Sequence, residues 1–206
     1  MFLFERKLIH LTSDHSQVDL LELCVKESAH YVRHTAPPEL LRLDEDSEYV
    51  VLKDRYPFDV SCLIEKNVPV ISLLPSNVFF ARGRNSLAKS LAAGFPLSGS
   101  IFLLKSTHYS IVPIEIRTFH CDIREMTLRE AFDYIFDELY AALPRVLSFD
   151  NIEKISSSQI IYDLVEDTPA RYSFFQELES VNILTDKRFP QGLDTLCKDL
   201  QRIFRS

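Results

Sequence analysis

Val78-Phe79-Phe80-Ala81-Arg82-Gly83-Arg84-Asn85-Ser86-Leu87-Ala88-Lys89-Ser90-Leu91 reads as a buried strand over Val78 to Ala81, a turn at Gly83 and a helix from about Asn85 to Ala93. It lies at the centre of a window, Lys66 to Ile114, that holds no acidic residue but carries Lys66, Arg82, Arg84, Lys89 and Lys105. In a chain of 206 residues and formal net charge −7, that gap is the first place to look for an anionic ligand.

On either side the texture differs. The opening Phe2 to Leu11 alternates imperfectly and predicts a first strand, and Thr12-Ser13-Asp14 offers helix-capping side chains. Mixed three and four spacings predict an amphipathic helix from Asp14 to about Tyr31, ended by Pro37-Pro38. Beyond the prolines come short aliphatic runs at Leu40 to Leu43, Tyr49 to Leu52, Val60 to Ile64 and Val68 to Leu74, bounded by charges, Pro or Asn. Their spacing predicts hairpins. Gly94-Phe95-Pro96 stops the 85–93 helix, and Ser100 to Ser106 with Ser110 to Phe119 predicts a hairpin turning at Thr107-His108-Tyr109. Pro113 argues for an edge position or a bulge.

From Thr127 to Leu143 apolar residues keep a three-four rhythm, Thr127 and Glu130 form a capping box, and Pro144 is expected to close the helix. Three further helices are expected at Ser157 to Glu166, Pro169 to Val181 and Gly192 to Phe204. Residues 122–206 hold sixteen acidic and ten basic residues, so −6 of the charge falls in this half. The expected fold is therefore α+β: an antiparallel or mixed sheet over about 38–120 flanked by helices, with a helical C-terminal subdomain. The expected domains are 1–121 and an acidic helical 122–206, packed as one compact unit.

Composition narrows the function classes. Apolar residues make up 46% and charged residues 26%, an ordinary globular balance. No apolar run approaches the roughly 18 residues of a membrane span, and the N-terminus has the reverse order of a signal peptide, so a cytoplasmic location is expected and no membrane partner. Cys24, Cys62, Cys121 and Cys197 form no CxxC pair. His30 and His34, four apart on the expected first helix, would share a face, but no glutamate follows His30 and no metal site is assigned. His120-Cys121-Asp122 sits on a strand, where neighbours face opposite ways, which excludes a direct Cys–His pair. No cofactor is implied.

The anion-binding candidates are Arg82, Gly83, Arg84, Asn85, Ser86 and Lys89. Two guanidinium groups beside a helix start can hold a phosphate or carboxylate, and Gly83 would let the backbone approach it. The turn lacks the glycine count and the Lys-Ser/Thr ending of a phosphate loop. Val78-Phe79-Phe80-Ala81-Arg82 followed by a helix and Pro96-Leu97-Ser98-Gly99-Ser100-Ile101-Phe102-Leu103 resembles the core of the chorismate-lyase and UTRA superfamily, with Ser98 inserted into its Pro-Leu-Gly segment. That resemblance implies an antiparallel sheet binding small anions.

Two function classes follow. The first expectation is a non-enzymatic interaction or assembly protein whose acidic helices dock on a partner protein or a second copy, motivated by the lack of a catalytic motif and by Tyr162, Tyr172, Phe174 and Phe175. The alternative is a binder of, or enzyme on, a small anion at Arg82-Gly83-Arg84, with Glu115 or His108 as acid or base. The residues leave catalysis undecided, and the acidic balance disfavours nucleic acid.

Overall fold

The computed structural model describes residues 6–13, 31–44, 47–56, 58–79, 86–105, 110–120, 126–147, 154–155 and 162–163. Among them seven strands form one sheet: β1 (Arg6–Leu11), β2 (Tyr31–His34), β3 (Glu48–Lys53), β4 (Val70–Leu74), β5 (Ser98–Leu104), β6 (Ser110–Thr118) and β7 (Tyr162–Asp163), in spatial order β2-β1-β3-β4-β5-β6-β7. β1 runs parallel to both β2 and β3, β3 runs parallel to β4, and β6 pairs antiparallel with β7.

The sheet is thus mixed and flanked by helices, and the class is α/β. The antiparallel hairpins expected before residue 74 are replaced by parallel crossovers, and the sheet begins at Arg6 instead of residue 38. The cause is local. Val60 to Ile64, read as extended, is helix α1 (Ser61–Glu65), because Asp59 Oδ1 accepts from the Val60 and Ser61 backbone N–H groups and its other oxygen accepts from the Ser61 hydroxyl. These bonds engage the backbone N–H groups at the head of the first turn, while the N-cap residue, Val60, makes no side-chain cap bond. Asn67, with φ 57°, then turns the chain into β4. Leu40 belongs to a single 3-10 turn, Pro38–Leu40, instead of a strand.

The chain divides into two compact units. The first comprises Met1–Leu73, Ile101–Glu115 and Glu138–Leu164. One face of its parallel strands buries Ile9, Leu11, Val51 and Val70 against Tyr56, Val60 and Leu63. Near-continuous apolar runs such as Tyr49-Val50-Val51-Leu52 are what a parallel strand covered on both faces requires. The Tyr56 hydroxyl donates to the Ala36 carbonyl, and its pKa is pushed up to about 12 by burial, with Glu39 and Cys62 adding to the effect. The β5–β6 hairpin is as expected, with the Lys105 N–H donating to the Ser110 carbonyl at 2.8 Å. Counting the strand alternation from that bond, the nitrogen of Pro113 faces the β7 side of β6. β7 pairs only with Ser110 and Ile111, so the missing N–H of Pro113 costs no ladder bond among the described residues.

The second unit comprises Leu74–Ser100, Ile116–Asp137 and Val165–Ser206. Val78 and Phe79 lie in a turn here, correcting the strand expected over Val78 to Ala81. The Ser100 hydroxyl donates to the Ser76 carbonyl and accepts from the Val78 N–H, and these two bonds replace the ladder a strand would have used. Helix α2 (Ser86–Ala92) follows. It ends with Phe95 N–H on the Ser90 carbonyl and Gly94 N–H on the Leu91 carbonyl, and Gly94 has φ 80°. That double bond pattern needs a left-handed residue, which glycine takes without a Cβ clash.

Helix α3 (Leu128–Val146) begins in this unit and ends in the first. The capping box is formed as expected: the Thr127 N–H donates to Glu130 at 2.6 Å and the Glu130 N–H to the Thr127 hydroxyl at 3.2 Å. Pro144 does not close the helix. It sits inside the last turn, which continues through a 2.7 Å bond from Leu147 N–H to the Leu143 carbonyl. The helix expected at 14–31 lies outside the described residues apart from Tyr31, which opens β2; the one expected over Ser157 to Glu166 is corrected at Tyr162–Asp163, which form strand β7, and those at Pro169 to Val181 and Gly192 to Phe204 lie outside the described residues.

Candidate functional site

The order β2-β1-β3-β4 places a switch point between β1 and β3, since the chain leaves β1 to one side and returns on the other. In parallel sheets the crevice beyond the carboxyl ends of such strands is where ligands bind. The parallel pairing extends past β1, with the Thr12 N–H donating to the His34 carbonyl and the Asp54 N–H to the Leu11 carbonyl. The Ser13 hydroxyl donates to the Arg55 carbonyl. Arg55 itself has φ 43°, a left-handed conformation that costs a non-glycine residue about 1 kcal/mol.

Three side chains converge just below this rim. His10, Tyr31 and Asp54 occupy the same face, because the register sets Leu8 beside Tyr31, His10 beside Arg33 and His10 beside Leu52, two residues before Asp54. His10 Nε2 is 2.9 Å from Asp54 Oδ1 and its Nδ1 is 2.8 Å from the Tyr31 hydroxyl. His10 is 1% exposed and Asp54 1%, while Tyr31 is only half-buried. The edge of His10 meets the Tyr140 ring of α3 at 6.5 Å between centroids. Asp54 Oδ2 is buried and has no hydrogen-bond partner among the described residues, so the carboxylate keeps spare accepting capacity.

A carboxylate only accepts, so Nε2 of His10 carries the hydrogen. Nδ1 then accepts from the Tyr31 hydroxyl when the ring is neutral and donates to it when the ring is charged. On the opposite face, burial pushes the Lys53 ammonium below the usual lysine value, against the pull of Asp59 and Asp54.

The residues singled out in the sequence fare differently. Arg82, Gly83, Arg84 and Asn85 lie outside the described residues. Ser86 and Lys89 open α2 and are both buried, at 3% and 5% exposed. Glu115 accepts from Arg145 at 2.6 Å, an ion pair that engages its carboxylate. His108, Cys121 and His30 are not described. His34 stands on a strand and its Nε2 lies 3.1 Å from the Pro37 carbonyl, so the helical His30–His34 pair does not form. No group of three metal-ligating side chains occurs among the described residues. No helix of the described residues is long and apolar enough to cross a membrane.

Sequence reasoning missed His10, Tyr31 and Asp54. The one signal was that His10 interrupts the apolar Leu8-Ile9-His10-Leu11 and that Val50-Val51-Leu52-Lys53-Asp54 is an apolar run ending in charged residues.

No family model matches the sequence, and no curated protein matches it. Solved structures do share the fold. The formyltransferase PseJ from Anoxybacillus kamchatkensis, solved with UDP-4,6-dideoxy-4-formamido-L-AltNAc and tetrahydrofolate, superposes with a TM-score of 0.57 at 15% identity, covering 92% of this chain and 97% of that one. A sugar N-formyltransferase from Shewanella gives 0.53 at 13% identity, covering 93% and 86%. Methionyl-tRNA formyltransferase from Clostridium thermocellum gives 0.53 at 14%, covering 91% and 86%. These likenesses replace the antiparallel architecture implied by the chorismate-lyase and UTRA resemblance. They also overturn the expectation of a non-enzymatic interaction protein, since the neighbours are enzymes. The chain carries an α/β fold similar to that of formyltransferases.

Proposed function

We propose that this chain is an enzyme that transfers a formyl group to the amine of a small, phosphate-bearing acceptor. The observation that carries this reading is the likeness to PseJ, which extends over nearly the whole of both chains. Among acceptors, a nucleotide-linked amino sugar suits the chain better than a tRNA. A net charge of −7 opposes the long-range attraction on which RNA binding depends, whereas one diphosphate can be held by two arginines.

The formyl donor is a substrate of this reaction, of the reduced-folate class found with PseJ. Formyl transfer between two nitrogens needs a group that takes a proton from the incoming amine and returns one to the departing nitrogen. The hydroxyl of Tyr31, tied to His10, suits that need. By contrast, residues 70–79, which span β4 and the loop after it, contain no titratable side chain.

The test is to incubate the full chain with formyl-tetrahydrofolate and the amine counterpart of the PseJ sugar nucleotide, and in parallel with methionyl-tRNA, reading the formylated product by mass spectrometry. Product from the sugar nucleotide and none from the tRNA is the expected result. No product from either acceptor sinks the proposal, and product from the tRNA alone sinks the choice of acceptor.

A further inference from the structure

We infer that Tyr31, His10 and Asp54 form a proton relay whose outer end is the Tyr31 hydroxyl. The inference rests on the transfer reaction proposed above. Its geometry is a continuous line of hydrogen bonds, 2.8 Å from Tyr31 to His10 Nδ1 and 2.9 Å from His10 Nε2 to Asp54. The inner two members are sealed and the outer one is half-buried, so exchange with a ligand goes through Tyr31.

The arrangement has two states of nearly equal geometry, because the hydrogen between Tyr31 and Nδ1 can sit on either atom while Nε2–H stays on Asp54. In the transfer, the amine lone pair forms a bond to the formyl carbon and the carbon's bond to the donor nitrogen breaks. The amine proton passes to the Tyr31 oxygen as that oxygen's own proton moves to Nδ1. The imidazolium so formed lies against the Asp54 carboxylate, which favours it. The proton then returns through Tyr31 to the donor nitrogen, so that no proton is gained or lost. Asp54 and His10 are positioning residues here and Tyr31 is the catalytic residue.

Arg33 stands beside His10 in register on β2, and Tyr140 packs on it from α3. The ring of Tyr140 meets His10 edge to face and leaves both ring nitrogens to Tyr31 and Asp54.

Two measurements on the full chain test the relay. The first is nitrogen-15 NMR of the histidine rings in the wild type and in Tyr31→Phe. A His10 ring with a hydrogen on Nε2, and an Nδ1 resonance that moves when the tyrosine hydroxyl is removed, is expected. An unmoved Nδ1 resonance overturns the relay whether or not the chain transfers formyl groups. The second is the formyl-transfer rate across pH, in which Tyr31→Phe should lower kcat about 100-fold with KM unchanged. Wild-type kcat in Tyr31→Phe overturns the relay and leaves the proposed function standing. A wild type without activity in an otherwise folded protein refutes the proposed function, and with it the catalytic role of Tyr31.

Discussion

Changing Asp54 to alanine should destabilise the protein by about 3 kcal/mol, while Asp54→Asn should cost about 1 kcal/mol. The reasoning starts from burial: the two side chains are 1% and 0% exposed and 2.9 Å apart. A hydrogen bond to a charged acceptor contributes about 1.5 to 3 kcal/mol, and a buried donor left without a partner costs about 1 to 3 kcal/mol. Against this, alanine relieves the desolvation of a buried carboxylate, which holds the net below the roughly 5 kcal/mol upper figure for breaking a buried pair. Asparagine keeps an acceptor oxygen for Nε2–H and loses only the charge. In a chain of this length each kcal/mol moves the midpoint of thermal unfolding by about 2 to 4 °C, so the alanine variant should melt roughly 6 to 12 °C lower. Urea unfolding of both variants at neutral pH gives the free energies directly. A cycle with His10→Phe isolates the coupling of the pair, expected at about 1.5 kcal/mol or more. If Asp54→Ala falls within about 0.5 kcal/mol of wild type, like an ordinary surface change, the carboxylate's desolvation cancels its bonds and the cluster does not hold the strand ends together.

Two further outcomes concern the second unit. Gly94→Ala should cost about 1 to 2 kcal/mol, because φ 80° forces a Cβ into the following carbonyl; an unchanged unfolding midpoint would show that the α2 terminus adapts. Glu130 is held below its ordinary pKa of 4.5, first by the Thr127 backbone N–H and then by the Thr127 side chain. A carboxylate lowered on folding stabilises the fold above its unfolded pKa and loses that contribution as pH falls through the folded value. The stability gap between wild type and Glu130→Ala should therefore be present at neutral pH and shrink as acid titrates the wild-type carboxylate. A gap that stays constant down to pH about 3 would exclude the charged cap as its source.

What the sequence disclosed depended on range. Helix α3 was legible because its signals, the Thr127–Glu130 box and the apolar stripe, lie within a few residues of each other. The β5–β6 hairpin was legible for the same reason, and so was the Gly94 stop. Parallel pairing was not, because Val60-Ser61-Cys62-Leu63-Ile64 has the composition of a strand and forms helix α1 instead. Read as a strand, it turned a crossover into a hairpin and hid the switch point. The site was hidden by distance: His10 and Asp54 are 44 positions apart, and only the parallel register sets them on one face. Pro144 shows the converse error, where a local breaker was overridden by a helix already anchored by Leu139 and Leu143 in the core.

Pro113 bears on how the protein behaves at high concentration. β7 spans two residues against the nine of β6, so most of that strand's outer edge faces no other strand among the described residues. An edge of that kind is a template on which a second molecule could lay down a strand and begin a precipitate. Pro113 interrupts the row of donors such a strand would need, and no described residue of β7 stands opposite it. A change to valine there restores a donor to that edge and is expected to show itself as turbidity on concentration.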